Sequence, residues 1–105
     1  MWWTFPGGGV KRDETPEAAA RREIKEEVGI DLAEVKKLGE FLSTRYFKYD
    51  TVYCFFSRVS KPDFSVDNGE VIEARWFDPN NFPENLSFAV PKIIVMYQES
   101  EFNRK

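Results

Sequence analysis

The sequence lacks histidine entirely and has a single cysteine among its 105 residues. Without histidine, a Ser-His-Asp triad, a Cys-His pair and most zinc sites are excluded. Any catalytic group or metal ligand must therefore come from carboxylates, lysine, tyrosine, hydroxyls or the backbone. Cys54 cannot form an internal disulfide, which fits a reducing cytoplasm. Because it lies in the aromatic run Tyr53-Cys54-Phe55-Phe56, we expect Cys54 to be buried in the core.

The sequence also lacks long apolar stretches, a secretory signal, repeats and low-complexity tracts. No run approaches the roughly 18 apolar residues of a membrane-spanning helix. Net charge is only −3, with acids and bases interspersed, so we see no broad positive surface for DNA or RNA. A small phosphorylated substrate remains compatible, since a metal ion can supply positive charge. We predict one cytoplasmic domain over residues 1–105, with no membrane and no nucleic-acid partner.

The arrangement of apolar and turn-forming residues predicts an α/β fold. Thr15 is suited to cap a helix, Pro16 to occupy its first turn and Gly29 to end it in a left-handed conformation. Predicted strands lie at 2–5, 35–43, 45–49, 51–59 and 70–77, and the predicted helices span 16–28 and about 87–102. The order of strand, helix, several strands and helix is typical of an α/β sandwich with a mixed sheet.

The second half of the first predicted helix carries three glutamates on one face. With Glu23 as reference, Glu27 projects about 40° to one side and Glu26 about 60° to the other. At ~5.5 Å and an effective dielectric near 20, each pair would repel by roughly 3 kcal/mol, which a divalent cation would reverse. Mg²⁺ prefers such carboxylate oxygens and also shares substrate phosphates. The alternative is an ordinary solvated helix face, and the three glutamates alone do not exclude it.

The residues around these glutamates form a longer motif with defined spacing. It reads Gly8-x5-Glu14-x7-Arg22-Glu23-Ile24-Lys25-Glu26-Glu27-Val28-Gly29-Ile30. Every specified position matches the Nudix box, so the chain resembles the Nudix hydrolase family. A chance match is on the order of 10⁻⁹ per window from average residue frequencies. Two flanking segments, 3–8 and 73–77, are also similar to family members. The resemblance implies a Nudix-like α/β/α sandwich with a mixed sheet.

The resemblance also implies a divalent metal site, with Mg²⁺ as the expected ion and Mn²⁺ as a substitute. The expected ligands are the side chains of Glu26 and Glu27 and the backbone carbonyl of Gly8. Glu23 is expected to bind the metal either directly or through a water molecule. Arg22 would pair with a box carboxylate, either Glu14 or Glu23, and hold it in place. Glycine at position 8 suits a close backbone approach. Gly7 and Gly9 are interpreted as turn residues.

The reaction that the resemblance implies is attack of water on a nucleoside diphosphate linked to another group. The candidates for the general base are Glu27 and two residues of a later segment, Glu70 and Glu73. Arg45 and Tyr46 are candidates for contacting the phosphate or the base, although aromatic residues in this region are also expected in the core. The sequence does not choose the substrate.

The chain differs from a full Nudix domain, which has strands before the segment that begins here at Trp3. Either the chain is a natural short form whose first predicted strand pairs with a second copy, or it is the product of a truncated gene. Of the two we expect the first, which gives a homodimer. A non-catalytic Nudix-like module that binds a nucleotide or a partner is the alternative function. Such modules typically lose box glutamates, and this chain retains all of them, which favours an enzyme.

Overall fold

The structure is a computed structural model, and it describes residues 2–44, 49–61, 63–66, 71 and 73–103. Within these residues the elements are helix α1, Pro16–Val28, strand β1, Lys36–Ser43, strand β2, Asp50–Phe56, and helix α2, Ala89–Asn103. The two strands form an antiparallel sheet, and each of them is contacted by one of the helices. The predicted α/β class is confirmed.

Helix α1 has the bounds that its capping residues predict. The Thr15 side chain accepts a hydrogen bond of 3.1 Å from the N–H of Ala18, which satisfies one of the free amides of the first turn. At the other end, Gly29 has a φ of 72° and its N–H donates to the carbonyl of Lys25. Ala19 and Val28 are the residues of this helix that are buried, so the acidic face beside them remains accessible.

The sheet pairs Lys36 with Phe56 at one end and Ser43 with Asp50 at the other. A register shift between Lys37 and Gly39 bulges the first strand. Helix α2 packs on this sheet, because a Cβ at Gly39 would lie 3.4 Å from the Met96 sulfur. The Tyr97 ring of α2 also lies 4.9 Å from the Phe56 ring.

Three strand predictions differ from the structure. Strand β2 ends at Phe56 and not at 59, because β1 begins at Lys36 and offers no ladder partner beyond that pair. The first segment, 2–5, forms only a parallel bridge between Trp3 and Leu86. Residues 71 and 73–77 are not in a strand, and no described segment forms a ladder with them. Most of the predicted 45–49 strand lies outside the described residues.

The buried apolar core is small and draws on several parts of the chain. Its members are Ala19, Val28, Ile30, Cys54 and Val90. The predicted burial of Cys54 is confirmed, and burial raises the pKa of its thiol. Trp76 is 56% exposed and stacks on Phe64. None of the described helices is long and apolar enough to cross a membrane.

Candidate functional site

The acidic face of α1 contains the three glutamates that the sequence singles out. The side chain of Glu23 is 15% exposed and that of Glu26 is 52% exposed. Glu27 is intermediate in exposure. The exposure of the carboxylates therefore rises from 15% at Glu23 to 52% at Glu26 within about one turn of helix. Such a gradient leaves room for a ligand at the Glu26 and Glu27 end.

Arg22 connects this face with the loop before the helix. Its guanidinium donates to both oxygens of Glu14, with distances of 2.8 and 2.9 Å, in a bidentate pair. The same side chain donates to Glu23 at 2.7 Å and to Glu26 at 3.4 Å. The sequence left Glu14 and Glu23 as alternative partners of Arg22, and the structure has both. A lysine in this position could not supply the planar fork.

Glu14 is fixed by the turn that carries it. Its N–H donates to the Lys11 carbonyl, and its side chain accepts from the Lys11 N–H at 3.0 Å. Asp13, inside the turn, has a φ of 66°, which aspartate tolerates better than most residues. The hydrogen bond from Arg22, followed by that from Lys11, lowers the pKa of Glu14 to about 2. The same contacts raise the pKa of the Arg22 guanidinium.

The glycine loop, residues 7–9, lies along the acidic face and contacts α1 at each residue. The Gly7 N–H donates to Oε1 of Glu27 at 2.8 Å. A Cβ at Gly8 would lie 2.6 Å from both carboxylate oxygens of Glu23, so any other residue there would displace this carboxylate. The Gly9 carbonyl accepts from Arg22 at 2.9 Å. Gly7 and Gly9, interpreted as turn residues, thus also tie the loop to the helix, a role that sequence spacing did not indicate.

The donor set suits a hard divalent cation, since it consists of carboxylates and a backbone carbonyl that can approach them closely. Gly8 has the space for that approach because no side chain separates it from Glu23. Among the described residues, however, no group of three or more acidic, Cys or His side chains is already close enough to hold a metal. Arg22 and the Gly7 N–H hold Glu23 and Glu27 in their present positions. Metal binding would bring the carboxylates closer together, and the exposed Glu26 has room to move.

The later segment contributes less to this site. Glu73 is exposed and pairs with Arg75 at 2.7 Å, away from any contact with the box that the structure records. The other three candidates of the sequence, Arg45, Tyr46 and Glu70, lie outside the described residues. The structure therefore brings together the box residues and leaves the substrate-contacting set undecided.

The carboxylate-lined helix α1 and the glycine loop that Arg22 holds against it form a loop–helix arrangement. The chain matches the NUDIX domain family model over residues 1–97, and it belongs to that family. Its fold is similar to the crystal structure of a MutT NUDIX hydrolase from Burkholderia pseudomallei, with a TM-score of 0.79 and 26% identity. That match covers 90% of this chain and 76% of the other. Nudix hydrolases generally use divalent metal ions.

Two curated relatives illustrate the range of names in the family. An RNA pyrophosphohydrolase from Marinomonas sp. (strain MWYL1) is 58% identical over 38 residues, or 36% of this chain. A putative 8-oxo-dGTP diphosphatase from Bacillus subtilis (strain 168) is 32% identical over 81 residues, or 77% of this chain. The matched parts are 24% and 53% of those proteins, so the chain spans from a quarter to a half of their length.

Proposed function

We propose that this protein is a Mg²⁺-dependent hydrolase that cleaves the pyrophosphate bond of a nucleoside diphosphate linked to another group. The observation that carries the proposal is the Arg22 contact set, which holds Glu14, Glu23 and the Gly9 carbonyl in one cluster beside the acidic face. Family membership supports pyrophosphate-bond hydrolysis in general. The names of the two relatives agree on that bond and differ on the substrate.

In the proposed mechanism, Glu23, Glu26, Glu27 and the Gly8 carbonyl would hold the metal. A bound ion would supply positive charge near the phosphates and would lower the pKa of the attacking water. Arg22 and Glu14 keep the glycine loop against α1, so that Gly8 stays beside the carboxylate of Glu23. Either Glu27 or a glutamate of the later segment, Glu70 or Glu73, accepts the proton of the attacking water. Arg45 and Tyr46 are proposed to contact the substrate.

The test is a nucleotide panel with Mg²⁺ or Mn²⁺ and product analysis. The panel should contain oxidised and normal nucleoside triphosphates, nucleoside diphosphate sugars, dinucleoside polyphosphates and RNA with a 5′-triphosphate end. Identification of the two products shows which phosphorus is attacked. Nucleotide binding without product from any panel member would instead support the non-catalytic module.

A matched pair of variants ties the activity to the proposed ligands. Glu27→Gln should lower kcat/KM by roughly 100-fold or more, because the amide cannot replace a charged metal ligand. Glu17→Gln changes the same helix and the same residue type in the first turn, where Glu17 pairs with Arg21 at 3.5 Å. This control should keep activity close to that of the unmodified protein. Full activity of Glu27→Gln, with a native circular dichroism spectrum, would contradict the metal assignment.

Two further proposals concern the context of the protein. We infer that a second copy pairs with the N-terminal segment, because the backbone of Trp3 is already hydrogen-bonded to Asn85 and Ser87. By the alternation of an extended chain, the backbone groups of Trp2 and Thr4 are expected to face the other side, and they have no backbone hydrogen bond to another described residue. A cytoplasmic location stays a prediction from the single cysteine.

A further inference from the structure

The glycine loop runs antiparallel to α1, and this orientation follows from its three contacts. Gly7 meets Glu27, Gly8 meets Glu23 and Gly9 meets Arg22, so successive loop residues contact positions progressively nearer the helix start. Five helical residues rise about 7.5 Å, which two extended loop residues also span. The contact of Gly7 therefore lies at the end of the face where the helix carries its more accessible glutamates.

Through the backbone N–H of Gly7, the glycine loop holds Glu27, a proposed metal ligand. The length of this bond, 2.8 Å, is that of a charge-assisted hydrogen bond from an amide to a carboxylate. Arg22 already neutralises Glu23 and also contacts Glu26, whereas Glu27 lies one turn beyond Glu23 with a like charge. The Gly7 amide therefore orients a carboxylate that Arg22 does not contact.

We propose that the backbone N–H of Gly7 is a positioning group for the divalent metal. One acceptor site of Oε1 of Glu27 is taken by this amide, and an ionised carboxylate has about four such sites in all. The hydrogen bond fixes the side chain beside the loop while leaving capacity to bind a cation. This inference rests on the proposed function, since it takes Glu27 as a metal ligand. The inference adds to the site a glycine that acts only through its backbone N–H.

The position allows a substitution that removes only the donor. Gly7→Pro has no N–H, whereas Gly7→Ala keeps it. A Cβ at position 7 would meet no atom within 4 Å, and the backbone there is outside the left-handed region, so alanine is accommodated. Hydrogen-bonded partners that orient a metal ligand typically change metal affinity by 10–100-fold when lost. The two variants therefore separate the amide from the presence of a side chain.

The experiment measures the dissociation constant of Mn²⁺ by electron paramagnetic resonance for the unmodified protein and both variants. We expect Gly7→Pro to weaken Mn²⁺ binding at least about 10-fold and Gly7→Ala to stay within about twofold. Equal affinity of Gly7→Pro and the unmodified protein would overturn the positioning role, as would an equal loss in both variants. Failure of the unmodified protein to bind Mn²⁺ would instead overturn the metal assignment under the proposed function, and this inference with it.

If Gly7→Pro does not fold, a second measurement tests the hydrogen bond between Gly7 and Glu27 directly. In metal-free protein, the amide proton of Gly7 should resonate downfield because it is bonded to a carboxylate. We expect Glu27→Ala to move this resonance upfield and Glu26→Ala, the neighbouring control, to leave it nearly in place. Indifference of the Gly7 resonance to Glu27→Ala would show that the hydrogen bond does not exist in solution and would overturn the proposal.

Discussion

Arg22 contacts four different groups at once, and the geometry of a guanidinium explains how. Two of its nitrogens face both oxygens of Glu14, while the remaining donors reach Glu23 and the Gly9 carbonyl. An isolated exposed ion pair contributes well under 1 kcal/mol, but here the carboxylate of Glu14 and the guanidinium are both mostly covered. The cluster thus orders the loop and the helix relative to each other, which a single surface pair would not do.

The charge state of Glu14 should make stability depend on pH in an acidic window. Its pKa in the folded protein is about 2, below the ordinary value of 4.5, because Arg22 and Lys11 donate to the carboxylate. A lowered folded-state pKa gives stabilisation that is present above 4.5 and lost as pH falls toward 2. We expect the difference in Tm between the unmodified protein and Glu14→Gln to shrink over that range.

Thermal unfolding by circular dichroism at several pH values measures this difference. Carboxylates that titrate in both proteins affect both melting temperatures and largely cancel in the comparison. A constant difference between pH 5 and pH 2.5 would contradict the lowered pKa of Glu14. Carbon-13 resonances of the glutamate carboxyl groups would provide the same pKa directly.

Sequence spacing predicted which residues cluster at this site, because the Nudix box specifies them by type and distance along the chain. It could not show that Gly7 donates to Glu27, since a backbone amide has no identity in a sequence motif. Nor could it show that Arg22 pairs with both Glu14 and Glu23. The pairing with Glu14 depends on the turn at Lys11–Glu14, which brings Glu14 back to the helix.

Helix α1 is the element whose bounds the sequence predicted best, because its caps are local. Thr15, Pro16 and Gly29 each act on the neighbouring turn, so no distant partner is needed to place them. The segment at 70–77 shows the opposite case. Its β-prone residues predict a strand, but a ladder needs a neighbouring segment, and the described residues of this region have none. Pairing between distant segments is what the residue pattern leaves undetermined.

The cap of α1 makes a prediction at the level of this element. Thr15→Ala removes the acceptor for the Ala18 N–H and should lower the free energy of unfolding by about 1 kcal/mol. Thr15→Ser keeps an equivalent hydroxyl and should stay within about 0.5 kcal/mol of the unmodified protein. Urea unfolding followed by circular dichroism measures both. Equal stability of the alanine and serine variants would show that the cap does not stabilise the helix in solution.

For the whole molecule, the exposed surface is large for the chain length. The accessible area is 8268 Å², whereas about 6,100 Å² is expected for a compact monomer of 12.3 kDa. The surplus is more than twice the roughly 800 Å² that each partner buries in a standard interface. Large apolar side chains contribute to it, with Trp2 70% exposed and Leu42 57% exposed. The Nudix box and the order of the elements predicted the family. They did not predict which of the exposed apolar side chains would contact a second copy.

Pairing of a second copy with the N-terminal segment, residues 2–4, predicts the mass of the protein in solution. If a second copy pairs there, light scattering after size-exclusion chromatography should give about twice 12.3 kDa. Trp2→Glu places a charge on that edge and should weaken the dimer, because charged residues oppose strand pairing at exposed edges. Tyr49→Ser removes another exposed aromatic, 79% exposed and next to β2, and should leave the dimer intact. A 12.3 kDa species at every concentration would exclude the dimer. If both variants remain dimeric, the dimer contact lies elsewhere on the surface.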